Sequence, residues 1–588
     1  MSVAAVNYCL PFFLFLQTES GSPQPSKDAP KPDAIVRGTI TNAAGREVRI
    51  GSNPVTPDET GRFNLNLVVG EPRYFEFTPT MGQLMLFLTP GDDLEINLEG
   101  NSPLESLTLS GKGAAVNQFL LESARSEFKE SAQWMQAYHQ IVPQEEDKFD
   151  SALDEMWKNF RKPLDEFLAK NDQPASFKNI QEARLRYGWA SARVAYPWLH
   201  RQLTGHYDEK VSAGYLDFVK SLDLNDANLI SLREYREFTD SYIRYLAYQK
   251  IRADKSLRVK ENARTLTQYA LAKELITNPV ARNRALTTIL DDHLRNLGSK
   301  KLEEVMADFK KDVTDEAMVK RITAIYDADR KFWEGHVVET YKKVDGADLD
   351  VHIFQPQDKT EGEKRPAFIW FHGAGWRQGV WYWCLGLCEH FRTKGMVVIY
   401  GEYRIHDRHG STPLDSIADV KTLVRWVRDN ADRLGIDSRK IVVSGFSAGG
   451  HLAAATAALQ PAASADKSDD GKGSAPGALL LVSACVDPTN DPWYREMLHH
   501  QENLQIGSPA HHIRAGLPPT LMIHGTADPT CSFEAAREFS EDMKAAGNRC
   551  DIRAFEGKGH FFLLQNPDDR NEALNAADAF LKETGIVP

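Results

Sequence analysis

From residue 337 to the C-terminus, short apolar runs alternate with amphipathic helical stretches, and no other feature restricts the possible folds as much. The runs lie at 367–371, 396–400, 441–444, 478–482, 520–524 and 551–555. They are continuous rather than alternating, as strands buried on both faces must be. Between them come helical patterns, the clearest marked by Ile417, Val420, Leu423, Val424 and Val427. This order predicts a mostly parallel sheet covered on both faces, with its site at the carboxyl ends of the strands. Runs at 337–341 and 349–354, separated by a polar turn at Asp345-Gly346, read as an antiparallel pair leading into the sheet.

One strand-to-helix junction in this region carries chemistry. Ser444-Gly445-Phe446-Ser447-Ala448-Gly449-Gly450 follows an apolar strand and opens an Ala-rich helix, with a G-x-S-x-G spacing. A sharp turn of this kind tolerates only small residues around a serine pushed out above the sheet, so Ser447 is the candidate nucleophile. A serine hydroxyl needs a base to take its proton and a carboxylate to orient that base. Asp528 and His560 each stand just after a later strand, giving the chain order Ser, Asp, His; Asp487 is the rival acid. Acyl transfer also needs donors for the developing oxyanion. His372-Gly373-Ala374-Gly375-Trp376, directly after a strand, offers the backbone N–H groups of Gly373 and Ala374, and Ala448 offers another. Trp376, Trp381 and Trp383 either line a substrate pocket or pack under a loop, and Glu402 with Arg404 reads as a buried ion pair beside the elbow.

These residues, together with Glu402-Tyr403-Arg404, resemble the α/β-hydrolase esterases of the hormone-sensitive-lipase and feruloyl/acetyl-xylan-esterase type over 336–588. The resemblance implies hydrolysis of carboxylic esters by Ser447, His560 and Asp528 with no cofactor and no metal. It suggests short-chain or aromatic acyl groups, carried on a small ester or an acylated polysaccharide. Two other readings stay open: a serine peptidase of prolyl-oligopeptidase type, and an accessory or binding protein with an inactive hydrolase domain. No set of repeated propeller blades precedes the hydrolase region, which weighs against the first. No member of the Ser, His, Asp set is missing, which weighs against the second.

The rest of the chain has other periods. An apolar segment at 1–17 reads as an export signal, which implies a periplasmic or extracellular protein, a cytoplasmic one being the alternative if the segment is not such a signal, and 18–33 reads as a disordered linker. Residues 34–113 alternate apolar and polar positions between Gly-containing turns, as an all-β sandwich does. Its Asp58 to Phe63 run, Leu88-Thr89-Pro90-Gly91-Asp92 and Leu109-Ser110-Gly111 resemble the accessory region of TlpA-like thiol-disulfide reductases. From 114 to 335 the period is helical: Phe149, Leu153, Met156, Trp157, Phe160, Leu164 and Phe167 fall on one stripe, with Pro163 expected to bend or end the helix. Trp189, Trp198, Tyr242 and Tyr245 read as packing of that helical domain. The expected architecture is therefore multidomain, with the α/β-hydrolase domain beginning at 336.

Composition narrows the partners. A net charge of −12 without long basic blocks argues against nucleic acid, and no stretch is long and apolar enough to span a bilayer. Six cysteines are too few for a disulfide scaffold, and Cys384 and Cys388 have three residues between them rather than the two of a redox pair.

Overall fold

Burying both faces of one sheet requires two separate apolar layers, and the second half of the chain supplies them. In this computed structural model residues 31–588 are described, apart from 43–46, 80–83, 209, 259, 359–361 and 460–472. The segment read at 1–17, nearly all of the linker and most of the Ser/Asp/Gly/Lys-rich loop at 462–476 lie outside the described residues. Two compact units emerge, one covering the described residues up to Tyr242 and the other spanning Ile243–Pro588.

In the first unit, strands Arg62–Leu67, Ala34–Thr41, Asp93–Glu99 and Thr108–Lys112 form one four-stranded sheet in that spatial order. Asn53–Val55, Val48–Ile50, Arg73–Thr78 and Leu84–Leu88 form a second. Alternation along Asp93–Glu99 turns Leu94, Ile96 and Leu98 inward, where they share one core with Phe75, Phe77, Leu86 and Leu88 of the other sheet. Helices Ala114–Ile141, Glu146–Lys170 and Ala175–Thr204 follow. Phe149, Leu153 and Leu164 are buried as their stripe predicts, while Phe160 is exposed. The second helix does not end at Pro163 but continues to Lys170. Trp189 donates from its indole to Asp154 at 2.8 Å, and Tyr242 stacks on Phe238, so these rings serve packing.

The second unit is built on eight strands: β1 (Val337–Val344), β2 (Ala347–Phe354), β3 (Arg365–Phe371), β4 (Val397–Gly401), β5 (Ile436–Phe446), β6 (Ala478–Val482), β7 (Thr520–Gly525) and β8 (Cys550–Phe555). Their order across the sheet is β1-β2-β4-β3-β5-β6-β7-β8. The first two are antiparallel to their neighbours and the remaining pairs are parallel. Strand residues alternate between the layers: Ala367, Ile369 and Phe371 enter one core, Phe368 and Trp370 the other. Helices Pro413–Asp429 and Ala448–Ala458 cover the first face, and Leu385–Thr393 and Pro567–Glu583 the second.

The hydrolase unit does not begin at 336 as expected. Helices Ala263–Leu275, Pro279–Leu297, Glu303–Asp312 and Glu316–Lys331 belong to it. Leu297 lies in the core of one sheet face, and Lys300 Nζ reaches Asp350 and Glu402, at 2.6 Å each, beside β2 and β4. Separating these helices would leave two buried carboxylates without their cation, a cost of about 3–5 kcal/mol.

Candidate active site

The site forms where β5 turns into helix Ala448–Ala458. Ser447 has φ 57° and ψ −120°, a conformation that a non-glycine residue holds only when its surroundings force it. The Ser447 amide donates to Val482 O at 3.0 Å across the sheet. A Cβ added at Gly449 would lie 2.2 Å from Phe371 O and 2.3 Å from His372 O, so only glycine lets the helix start this close to the end of β3. All eleven residues of the helix are buried, which explains its small, Ala-rich composition.

His560, between β8 and helix Phe562–Gln565, and Asp528, after β7, are both buried. His560 Nδ1 lies 2.7 Å from Asp528 Oδ2, so the imidazole donates there. Asp528 Oδ1 accepts the amides of Thr530 (2.8 Å) and Cys531 (2.9 Å), and His524 Nε2 stands 3.4 Å from Oδ2. Burial pushes the Asp528 pKa up, but hydrogen bonds from His524 and His560 outweigh it and hold the carboxyl well below its usual range. With its oxygens committed to these donors, Asp528 has none left for a metal. Ser447 Oγ rests 3.9 Å from Cys531 Sγ. The His560 ring packs on Phe446 and Phe561.

Opposite the serine runs the loop after β3. A Cβ at Gly373 would stand 2.9 Å from Phe446 O and 3.1 Å from Ser447 Cβ, so this backbone lies against the nucleophile. Ala374 (φ 79°) and Trp376 (φ 58°) are both left-handed. Among the described residues the amides of Gly373, Ala374 and Ala448 donate to no protein acceptor. Three free N–H groups around one serine fit an anionic oxygen. His372 supports the loop from below: its Nδ1 donates to Gly373 O at 2.8 Å, and Tyr403 OH donates to His372 O at 2.8 Å. Burial pushes the His372 pKa down to about 4, so the ring is neutral.

Comparison with known proteins fits this arrangement. The BD-FAE family model matches residues 349–490. Esterase LipC of Mycobacterium tuberculosis is 28% identical over 237 residues, 37% of this chain and 57% of that protein. A probable isoprenylcysteine alpha-carbonyl methylesterase of Arabidopsis thaliana is 26% identical over 241 residues, 37% of this chain. The chain thus spans 57% and 49% of the lengths of these two relatives. A solved thermophilic esterase from Thermogutta terrifontis, with propionate bound, is 40% identical and covered over 96% of its chain and 43% of this one, with a TM-score of 0.40. Through its second unit the chain belongs to the α/β-hydrolase esterases.

The other side chains singled out in the sequence of this carboxylesterase-type hydrolase take structural places around the site. Trp376 is 2% exposed, packed inside the first apolar layer. Its Nε1 donates to His451 Nδ1 at 3.1 Å, and His451 Nε2 donates to Gly507 O at 2.7 Å, tying the oxyanion loop to the nucleophile helix. Trp381 is likewise buried, stacked on His352 at 3.8 Å. Glu402 and Arg404 are buried but do not pair with each other: Glu402 takes Lys300, and Arg404 takes Asp419 at 2.9 Å and Asp345 at 2.7 Å. Asp487 bonds Thr489 (2.7 Å) and Ser508 (3.1 Å), not His560. Sequence reasoning missed His451 and Lys300. Of these only His451, next to the glycines of the elbow, carried a local signal.

Proposed function

We propose that the esterase hydrolyses carboxylic esters of short acids by acyl transfer through Ser447. The observation that carries this reading is the 2.7 Å bond between His560 and Asp528 at the ends of adjacent strands, beside a serine held at φ 57°. Ser447 Oγ attacks the ester carbonyl as His560 Nε2 takes its proton, and Asp528 holds the imidazolium that forms. The carbonyl oxygen, now anionic, receives the amides of Gly373, Ala374 and Ala448. Collapse expels the alcohol, which takes the proton from His560. A water then repeats the sequence on the acyl-enzyme and frees the acid. Rotation about the Ser447 Cα–Cβ bond moves the hydroxyl from Cys531 to His560, the kind of tightening that substrate brings to a free site.

The surroundings favour small acyl groups. Tyr494 and Met497 of helix Pro492–Met497 turn inward, while Glu496 of the same helix pairs with Arg377 at 3.0 Å, so no apolar lid covers the serine there. Phe561, 39% exposed, is the large exposed apolar side chain that touches His560. That single ring also suits an aromatic acyl group, including one carried on polysaccharide, and the BD-FAE match supports testing it. The test is a panel of nitrophenyl acetate, butyrate and palmitate, run beside feruloylated and acetylated xylan and a prolyl peptide. Acetate and butyrate are expected to turn over fastest. Faster turnover of palmitate than acetate, or cleavage of the peptide alone, would overturn the reading.

A further inference from the structure

The loop bearing the Gly373 and Ala374 amides is fastened from outside the sheet, and one buried carboxylate collects the fastenings. Asp407, 6% exposed, stands on the short helix His406–His409 after β4. Its Oδ1 takes Arg377 Nη2 at 3.1 Å and its Oδ2 takes Gln378 Nε2 at 3.2 Å, both from the oxyanion loop. The amides of His406 and Asp407 donate to the carbonyls of Trp376 (2.8 Å) and Arg377 (3.0 Å). Backbone and side chain thus grip the loop together.

The same carboxylate is held from the helices that precede the sheet. Arg264, the second residue of helix Ala263–Leu275, donates Nη1 to Asp407 Oδ2. Two residues before that helix, Glu261 takes Arg408 through Nε (2.8 Å) and Nη2 (2.6 Å), and the amide of Asn262 donates to Arg408 O at 2.9 Å. Charge balance makes Arg264 decisive. Arg377 is shared between Asp407 and Glu496, the latter at 3.0 Å, so those three groups carry one net negative charge. Arg264 cancels it. Burial alone would raise the Asp407 pKa, but the charges of Arg264 and Arg377 outweigh burial and hold it well below the usual carboxylate range.

We propose that Arg264 is a positioning residue for the oxyanion loop, acting through Asp407 and Arg377 from a helix outside the hydrolase sheet. It touches no substrate. Its loss leaves a buried net charge that redraws Arg377 toward one carboxylate or the other and shifts the loop that places the Gly373 and Ala374 amides. A displacement of that kind falls on kcat rather than on ground-state binding.

The inference rests on the acyl-transfer reading through Ser447, so the experiment includes Ser447→Ala in the full chain. kcat and KM for nitrophenyl acetate are measured for wild type, Arg264→Gln, Glu496→Gln and the Arg264→Gln/Glu496→Gln double variant, with unfolding midpoints recorded for each. Arg264→Gln is expected to lower kcat about tenfold or more with KM within about twofold. Removing Glu496 as well leaves Arg377 wholly to Asp407, so the double variant is expected to recover kcat to within about threefold of wild type. A folded Arg264→Gln with wild-type kcat, a loss confined to KM, or a double variant no better than the single one overturns the proposal. If Arg264→Gln does not fold, the double variant decides: folding and turnover support the proposal, and failure of both overturns it. Turnover retained by Ser447→Ala would instead overturn the acyl-transfer reading, whatever Arg264 does.

Discussion

Asp528 keeps its two oxygens for different tasks. Oδ1 is anchored by the amides of Thr530 and Cys531, which leaves Oδ2 aimed at His560 Nδ1 at 2.7 Å. An asparagine anchored the same way would present its amide to the imidazole and enforce the wrong tautomer. Asp528→Asn is therefore expected to lower kcat by about four orders of magnitude, the scale such a change reaches in a serine protease triad. Asp487→Asn is expected to cost less than about tenfold, since Asp487 only closes a turn with Thr489 and Ser508. Measuring kcat of both variants on nitrophenyl acetate decides, and the reverse ranking would move the acid to the loop after β6. The placement of Asp528 and His560 was legible because parallel strands all end on one edge, so residues just past strands β7 and β8 must meet there. Trp376 was not legible. Its loop has no period to show which side faces inward, and the bond that buries it runs to His451, 75 residues away in sequence.

At the scale of elements, the helices between 263 and 331 are parts of the hydrolase. Lys300 sits between Asp350 and Glu402 and also donates to Asp348 O at 2.7 Å. The Gly379 amide donates to Asn296 O at 2.8 Å, and Tyr382 OH donates to Asp329. A chain beginning at Gly335 loses every one of these partners. Where Asp350 and Glu402 stay buried, losing their cation costs about 3–5 kcal/mol, a large share of the roughly 5–15 kcal/mol that holds a domain together. Such a chain is expected to be insoluble or inactive, whereas one beginning at Ile243 is expected to hydrolyse nitrophenyl acetate within about threefold of the full chain. A soluble, fully active chain from Gly335 would contradict this. Every strand of the hydrolase sheet was located by its apolar run, because buried parallel strands are continuous apolar runs, although β5 begins at Ile436, ahead of the run at 441–444. The allegiance of the helices could not be read. A 3.6-residue period shows that a helix buries one face but not what it buries it against, and a lysine such as Lys300 reads as surface until its partners are known.

At the scale of the whole molecule, stability should depend on pH through histidines buried as neutral rings. Burial pushes His372 and His451 down to about 4, while in the unfolded chain a histidine titrates near ~6.5. Between those values the unfolded state binds protons that the folded state refuses. Stability is therefore fully present above about pH 6.5 and is lost as pH falls toward the folded values, by about 1.4 kcal/mol per pH unit for each ring. The depressed carboxylates Asp407 and Asp528 add nothing in that window, because their contribution falls away only below the ordinary aspartate range near ~3.9. Urea midpoints at pH 7 and pH 5 are expected to fall on acidification, and an unchanged or higher midpoint at pH 5 would contradict the burial of neutral rings. The central claim concerns one atom, and the most direct measurement is mass analysis of the intact chain, quenched in acid during turnover of nitrophenyl butyrate and then digested. The account predicts a butyryl group on the peptide containing Ser447 and neither label nor hydrolysis in Ser447→Ala. A butyryl group on another residue, or undiminished hydrolysis by Ser447→Ala, would contradict it.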